Sequence, residues 1–455
     1  MTYVAEGCGG ELLSGPSSAT ITRVCTDSRQ AQSGDLFIAL SGEKFDGHDY
    51  LDEVARKGAV AVVVERTKVL KLSCAVVAVE DPRQALGKFA AWYRRDFHLP
   101  VIAVGGSNGK TTTKELIASV LRQRFKTLWS EASFNNDIGV PLTLLKLDVG
   151  HEAAVLEVGT NHPGELAPLV RMIQPQFGVL TNLGREHLEF FGDLKGVADE
   201  EGWLAELLPA SGTLFVHGDG PELESILGRT RAKVTRVGLA DNDDWRARDV
   251  KVDEAGATFQ VETADADFCG EYRVNLLGRH QVMNSLLALA VGAELGLMRK
   301  EIQSGLAGCQ PSKMRMQVWT ANGVRVLDDA YNANADSVLA ALETLKEFPC
   351  QGRRVAVLGE MAELGPHSAE AHAEVGRRAA ATHVDQLFAV GKMAGVMGAA
   401  ARAAGLMHVT ELGEAETGAS AVKHFVRSGD VVLIKASRVA HLERVGEALR
   451  GSIAK

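Results

Sequence analysis

Apolar residues along this 455-residue chain gather mostly in short unbroken runs rather than in strict alternation with polar ones. Runs of this kind, bounded by polar turns, predict strands buried on both faces, as parallel sheets require. They recur at 36–40, 60–64 and 75–79, again at 101–104, 153–158 and 177–180, and again at 324–327, 355–358, 387–390 and 431–434. Helical periodicity fills the gaps, most clearly at 83–95 and 281–297. The alternation predicts an α/β fold of three domains. His98-Leu99-Pro100 and Gln310-Pro311-Ser312 punctuate it as linkers would. The expected domains are a small α/β unit over 1–98, a doubly wound, mostly parallel sheet over 99–310, and a Rossmann-like unit over 311–455.

Composition narrows the classes of function. A hydrophobic content of 46% with 24% charged residues supports a core in each domain, and 47 glycines suit the many turns of an α/β chain. The net charge of −9 is spread rather than blocked, and no Lys/Arg-rich run is interleaved with aromatics, so no nucleic-acid partner is expected. The longest apolar helical stretch, near 286–297, contains Glu294 and falls short of the about 20 residues a bilayer needs, so no membrane insertion is expected. No export signal is visible, and the six cysteines have no Cys-x-x-Cys spacing, which points away from zinc and disulfides. A cytoplasmic monomer is the expectation.

The clearest chemistry lies at Gly105-Gly106-Ser107-Asn108-Gly109-Lys110-Thr111-Thr112, between an apolar strand and a helical pattern. Glycines let backbone N–H groups wrap phosphate oxygens, Lys110 can reach the β/γ-phosphates, and the Thr111 hydroxyl suits Mg²⁺. The loop is short by one residue, because Gly105 leaves three positions rather than four before Gly109. Glu157 ends the apolar strand 153–158 where open α/β sheets bind ligands, and is a candidate Mg²⁺ ligand. His187 follows the strand 177–180 in a loop at the same edge and is a second metal candidate.

Taken together, these residues resemble the Mur ligase family, ATP-dependent enzymes that build the peptide of cell-wall precursors. The resemblance runs nearly end to end. It includes the short loop 106–112, the stretch Phe134-Asn135-Asn136-Asp137-Ile138-Gly139-Val140-Pro141, then Glu157 and His187. It continues through Gly278-Arg279-His280-Gln281-Val282-Met283-Asn284, similar to the family's adenine-side segment, and Arg315, placed like an arginine that reaches the nucleotide phosphates. The resemblance implies that Gly106, Ser107, Asn108, Gly109, Lys110, Thr111, Thr112, His280, Asn284, Arg315 and Asp329 bind ATP. Lys110, Glu157 and His187 would be catalytic.

The termini narrow the resemblance further. Thr26-Asp27-Ser28-Arg29 and Phe45-Asp46-Gly47-His48-Asp49-Tyr50 look like the family's UDP-sugar-binding unit, implying substrate contacts from Ser28, Arg29, Phe45, Asp46, Gly47 and His48, with Asn135 and Asn136. Asp328-Asp329-Ala330-Tyr331-Asn332-Ala333-Asn334-Ala335-Asp336-Ser337 and Lys435-Ala436-Ser437-Arg438 resemble the member that joins D-alanyl-D-alanine to UDP-N-acetylmuramoyl-tripeptide. They imply substrate contacts from Tyr331, Asn332, Asn334, Lys435 and Arg438, with ATP and Mg²⁺ as cofactors and an acyl phosphate as intermediate. Two positions depart from the family pattern. Ala335 stands where a proline is usual, and Glu201 stands where members carry a carbamoylated lysine near the second metal. A glutamate could supply that carboxylate directly, ligating Mg²⁺ through water, with Glu200 as the neighbouring alternative. The competing expectations are another ligase of the family, such as the tripeptide-forming one, and a nucleotide-switched binding protein.

Overall fold

A computed structural model describes residues 1–218 and 220–451, so the last four residues of the expected third domain lie outside the described part. It is a three-domain α/β protein with one sheet per domain.

The N-terminal sheet runs in the order Glu11–Ser14, Ala75–Val79, Ala61–Glu65, Asp35–Ile38, Arg23–Cys25, parallel except for its first pair. Leu36, Phe37 and Ile38 are each fully buried, so both faces of this strand are covered, as an unbroken apolar run requires. The helix Pro82–Arg94 starts with proline at its first position and with the Asp81 carboxylate accepting from the Arg83 and Gln84 N–H groups. It buries Ala85, Leu86, Phe89 and Ala90. Its far end ties this domain to the next: buried Arg94 donates to the Ile173 and Phe97 carbonyls, and Tyr93 donates to the Leu147 carbonyl.

The central sheet has nine strands. Six follow the parallel, doubly wound pattern, with Val101–Gly105 between Ala153–Glu157 and Phe177–Leu180. Beyond Lys233–Gly238, the strands Trp245–Asp253, Gly256–Thr263 and Gly270–Val274 form an antiparallel extension. Their burial alternates, which marks one solvated face and explains why no apolar run announces them. The helix His280–Glu294 packs against the helix Lys110–Leu121, with Leu286, Leu287 and Val291 in the largest core cluster.

The C-terminal sheet is ordered Gln317–Ala321, Val324–Asp329, Val431–Lys435, Arg354–Leu358, Gln386–Val390, Val409–Leu412, and only its first pair is antiparallel. The helix Ala335–Glu347 begins at Ala335, with Asn334 as its cap. Proline is favoured at that first helical position because its missing N–H would be unbonded anyway, and alanine, the best helix former, replaces it without a steric demand.

Candidate active site

The phosphate-type loop joins the strand Val101–Gly105 to the helix Lys110–Leu121. Gly106 and Gly109 hold φ of 107° and 82°, and a Cβ on either would meet a neighbour at under 3 Å: Thr181 Oγ1 for Gly106 and Asn284 Oδ1 for Gly109. The loop is braced from behind. Gly106 N–H donates to Glu201 Oε2 at 2.8 Å, Ser107 N–H to the Asn182 carbonyl at 3.0 Å, and Asn108 N–H to Asn182 Oδ1 at 2.8 Å. Lys110 Nζ folds back toward the carbonyls of Gly106 and Ser107 and lies 3.2 Å from Glu186 Oε2. Burial opposes its charge, but Glu186, Glu201 and Glu157 outweigh that and hold the ammonium above the usual lysine range.

These residues open on a cavity of about 880 Å³, within the size range of nucleotide and substrate sites. The central domain lines it with Ser107, Asn108, Gly109, Lys110, Thr111, Thr112, Asn135, Asn136, Glu157, His187, His280 and Asn284. Arg315, Asp329, Tyr331, Asn332, Asn334 and Lys435 line it from the C-terminal side, and Arg83 reaches it from the N-terminal domain. Eighteen positions singled out from the sequence therefore converge, although they span 107 to 435. Lys435 Nζ pairs with Asp329 Oδ2 at 2.5 Å, and Arg315 lies 4.2 Å above the Tyr331 ring while donating to Ser133 Oγ. Burial holds the His280 imidazole below its usual range.

Glu157 is 1% exposed. Its Oε1 accepts from Asn135 Nδ2 at 2.9 Å, whereas buried Oε2 has no hydrogen-bond partner. A buried carboxylate oxygen without a partner is costly, and a cation beside the phosphates would satisfy it. Among the described residues no three His, Cys, Asp or Glu side chains converge to cage a metal. Mg²⁺ is commonly held by one or two protein carboxylates together with substrate phosphates, and the unpartnered Glu157 oxygen is a ligand of that kind.

Other sequence-predicted residues line no part of this cavity. Gly106 is buried at the start of the loop, and Glu201 is wholly buried behind it, with Oε1 unpartnered. Burial pushes Glu201 up to about 7 against the pull of Lys110. Its neighbour Glu200 accepts from the Gly164 and Leu166 N–H groups. Arg438 is exposed and pairs with Glu443. In the N-terminal domain, Arg29 pairs with Asp27, Ser28 accepts from Lys57 through its carbonyl, and Phe45 is 74% exposed beside Asp46 and Gly47. His48 is buried: Nε2 accepts from the Glu65 N–H and Nδ1 donates to Asp46. Burial opposes the charge of Asp46, yet Lys68 and the His48 N–H more than offset it and hold the carboxyl below the ordinary range.

The sequence reading gave no role to Glu186, Arg185, Ser133, Asp336 or Glu363. Glu186 and Arg185 stand beside His187, but nothing in their order says that one faces Lys110 while the other faces another domain. Glu363 follows the end of the strand Arg354–Leu358, and the strand-end rule applied to His187 would have found it.

Comparison with known proteins matches the three-domain fold. The chain matches family models described as Mur ligase family, catalytic domain (residues 20–94), Mur ligase middle domain (104–292) and Mur ligase, glutamate ligase domain (314–438). It belongs to the Mur ligase family. It is 36% identical to the UDP-N-acetylmuramoyl-tripeptide--D-alanyl-D-alanine ligase of Escherichia coli, over 99% of this chain and 98% of that one. Among solved structures, MurF from Acinetobacter baumannii aligns with a TM-score of 0.90 at 30% identity, over 99% of this chain and 98% of that one. MurF ligase from Thermotoga maritima in complex with ADP aligns with a TM-score of 0.83 at 29% identity, over 96% and 99%.

Proposed function

We propose that this chain is an ATP-dependent amide ligase that joins D-alanyl-D-alanine to UDP-N-acetylmuramoyl-tripeptide in peptidoglycan precursor synthesis, releasing ADP and phosphate. The observation that carries this reading is the single cavity shared by the phosphate loop and by Asp329, Tyr331, Asn332, Asn334 and Lys435 of the C-terminal domain. Nucleotide and acceptor are thereby brought within reach of one reacting carboxylate. The near full-length similarity to ligases of this name supports the choice of substrates.

A carboxylate is a poor electrophile, so the terminal carboxylate of the tripeptide first attacks the γ-phosphorus of ATP. This forms an acyl phosphate and frees ADP. The amine of the dipeptide then attacks the acyl carbon, the amide forms, and phosphate leaves with a proton released from the amine. Lys110 and Arg315, both lining the cavity, would neutralise charge spreading over the transferring phosphoryl group. His280 and Asn284 border the adenine side, and Thr112 closes the start of the loop helix. Thr111, Glu157 and His187 would hold Mg²⁺, with Glu201 acting through the Gly106 N–H or through water. When bound, Mg²⁺ supplies Lewis-acid stabilisation of the phosphoryl oxygens. Asn135 orients Glu157. Docking of the C-terminal domain excludes water from the acyl phosphate.

In this reading residues 1–98 hold the UDP-sugar through Ser28, Arg29 and 45–48, residues 99–310 hold ATP, and residues 311–455 bring the dipeptide. No helix among the described residues is long and apolar enough to cross a membrane. We place the reaction in the cytoplasm, where ATP is available and where the six free cysteines stay reduced, with the chain acting as a monomer. The test is phosphate release from ATP with UDP-N-acetylmuramoyl-tripeptide present, comparing D-alanyl-D-alanine, single amino acids and no acceptor. Release should require the dipeptide and vanish in Lys110→Ala. Release that ignores the acceptor would reduce the chain to an ATPase.

A further inference from the structure

His187 is held by a residue from another domain. Its Nδ1 is hydrogen-bonded to Glu363 Oε2, and the carbonyl of the same Glu363 accepts from the Glu189 N–H at 3.0 Å. Glu363 thus grips the 187–189 turn with both backbone and side chain. Both residues sit in the left-handed region, with φ of 48° for His187 and 60° for Glu363, which non-glycine residues rarely adopt unless their surroundings impose it. Adjacent contacts lock the same seam. Arg185 donates to Asp336 and Glu374, Asn334 Nδ2 donates to Asn108 Oδ1 at 2.9 Å, and His367 bonds the Gly192 carbonyl at 3.0 Å.

We propose that Glu363 is a positioning residue: from the C-terminal domain it fixes the His187 imidazole with Nδ1–H as donor, leaving Nε2 to the nucleotide cavity, so the metal side of the central domain is complete only when the two domains are docked. A carboxylate behind a metal-facing imidazole sets its tautomer and raises its basicity. Here that carboxylate travels with the acceptor-binding domain, so closure and metal-site assembly become one event. The inference rests on the assignment of His187 to the metal side.

The experiment titrates Mn²⁺ into the full-length protein holding ADP, followed by electron paramagnetic resonance, for wild type, Glu363→Ala, Glu363→Gln and His187→Ala. The ¹⁵N shifts of His187 are recorded on the wild type. His187→Ala and Glu363→Ala should each weaken Mn²⁺ binding, the latter about 10- to 100-fold. Glu363→Gln, whose amide oxygen can still accept from Nδ1–H, should recover part of that loss, and kcat should fall with the KM for ATP little changed. Wild-type His187 should show the Nδ1–H tautomer. If His187→Ala loses Mn²⁺ while Glu363→Ala binds it normally, or if the wild type carries Nε2–H, the inference is overturned and the ligase reading stands. If His187→Ala binds Mn²⁺ normally, the metal assignment of His187 fails and takes the inference with it.

Discussion

Single side chains in this protein are most informative where burial leaves an electrostatic need. Glu157 has one carboxylate oxygen bound by Asn135 and one bound by nothing, so its value lies in what it can hold rather than in what it stabilises. Glu157→Gln keeps the shape and removes the charge, and dipeptide-dependent phosphate release should fall about 100-fold or more. A loss below fivefold would remove Glu157 from the metal side. Lys114 is the opposite case. It is wholly buried, and its ammonium donates to the Ser130 and Ala132 carbonyls at 2.7 and 2.9 Å and pairs with Glu115. It therefore pins the segment that carries Ser133, which in turn meets Thr111 and Arg315. Lys114→Ala should cost roughly 3 kcal/mol in urea unfolding, because charged hydrogen bonds are lost and two carbonyls are left unpaired. A cost under about 1 kcal/mol would show that water replaces them.

At the scale of elements, the loops at strand ends are set by packing that lies well away from the cavity. His372, on the helix Ser368–Ala381, accepts from the Met361 N–H through Nε2 and donates from Nδ1 to the Ser368 carbonyl, so it serves as a neutral imidazole beneath the turn that carries Glu363. Burial holds its pKa below the usual 6.5. The unfolded chain then binds the proton first, and stability is lost as the pH falls from above 6.5 through the folded value. Urea midpoints at pH 8 and pH 5 should drop further in wild type than in His372→Gln. Equal drops would place the pH dependence elsewhere. The strand pattern carried a related limit. Unbroken apolar runs revealed the parallel strands, but Trp245–Asp253 and its partners, wet on one face, passed unnoticed because half of their residues are polar.

At the scale of the molecule, the seam between central and C-terminal domains is polar and centred on Arg185, which takes Asp336 and Glu374 at 2.6 Å each. Polar seams of this kind permit relative domain motion. Arg185→Ala should broaden the solution-scattering envelope and raise the KM for D-alanyl-D-alanine roughly 10-fold, an effect of about 1.4 kcal/mol. An unchanged envelope together with an unchanged KM would count against a closing motion about the linkers near Pro100 and Pro311.

Much of this protein was legible from order alone. The three sheets, the loop around Lys110 and the strand-end Glu157 follow from local rules, because strand burial and phosphate turns are decided by residues close in sequence. Tertiary structure decided the rest. That Glu201 lies behind the phosphate loop, that His48 braces its own loop with both ring nitrogens, and that Glu363 reaches His187 from another domain depend on contacts between segments far apart in the chain. Periodicity shows which face of an element is buried. It carries no record of which distant side chain will meet that face, since that pairing is settled only when the domains pack.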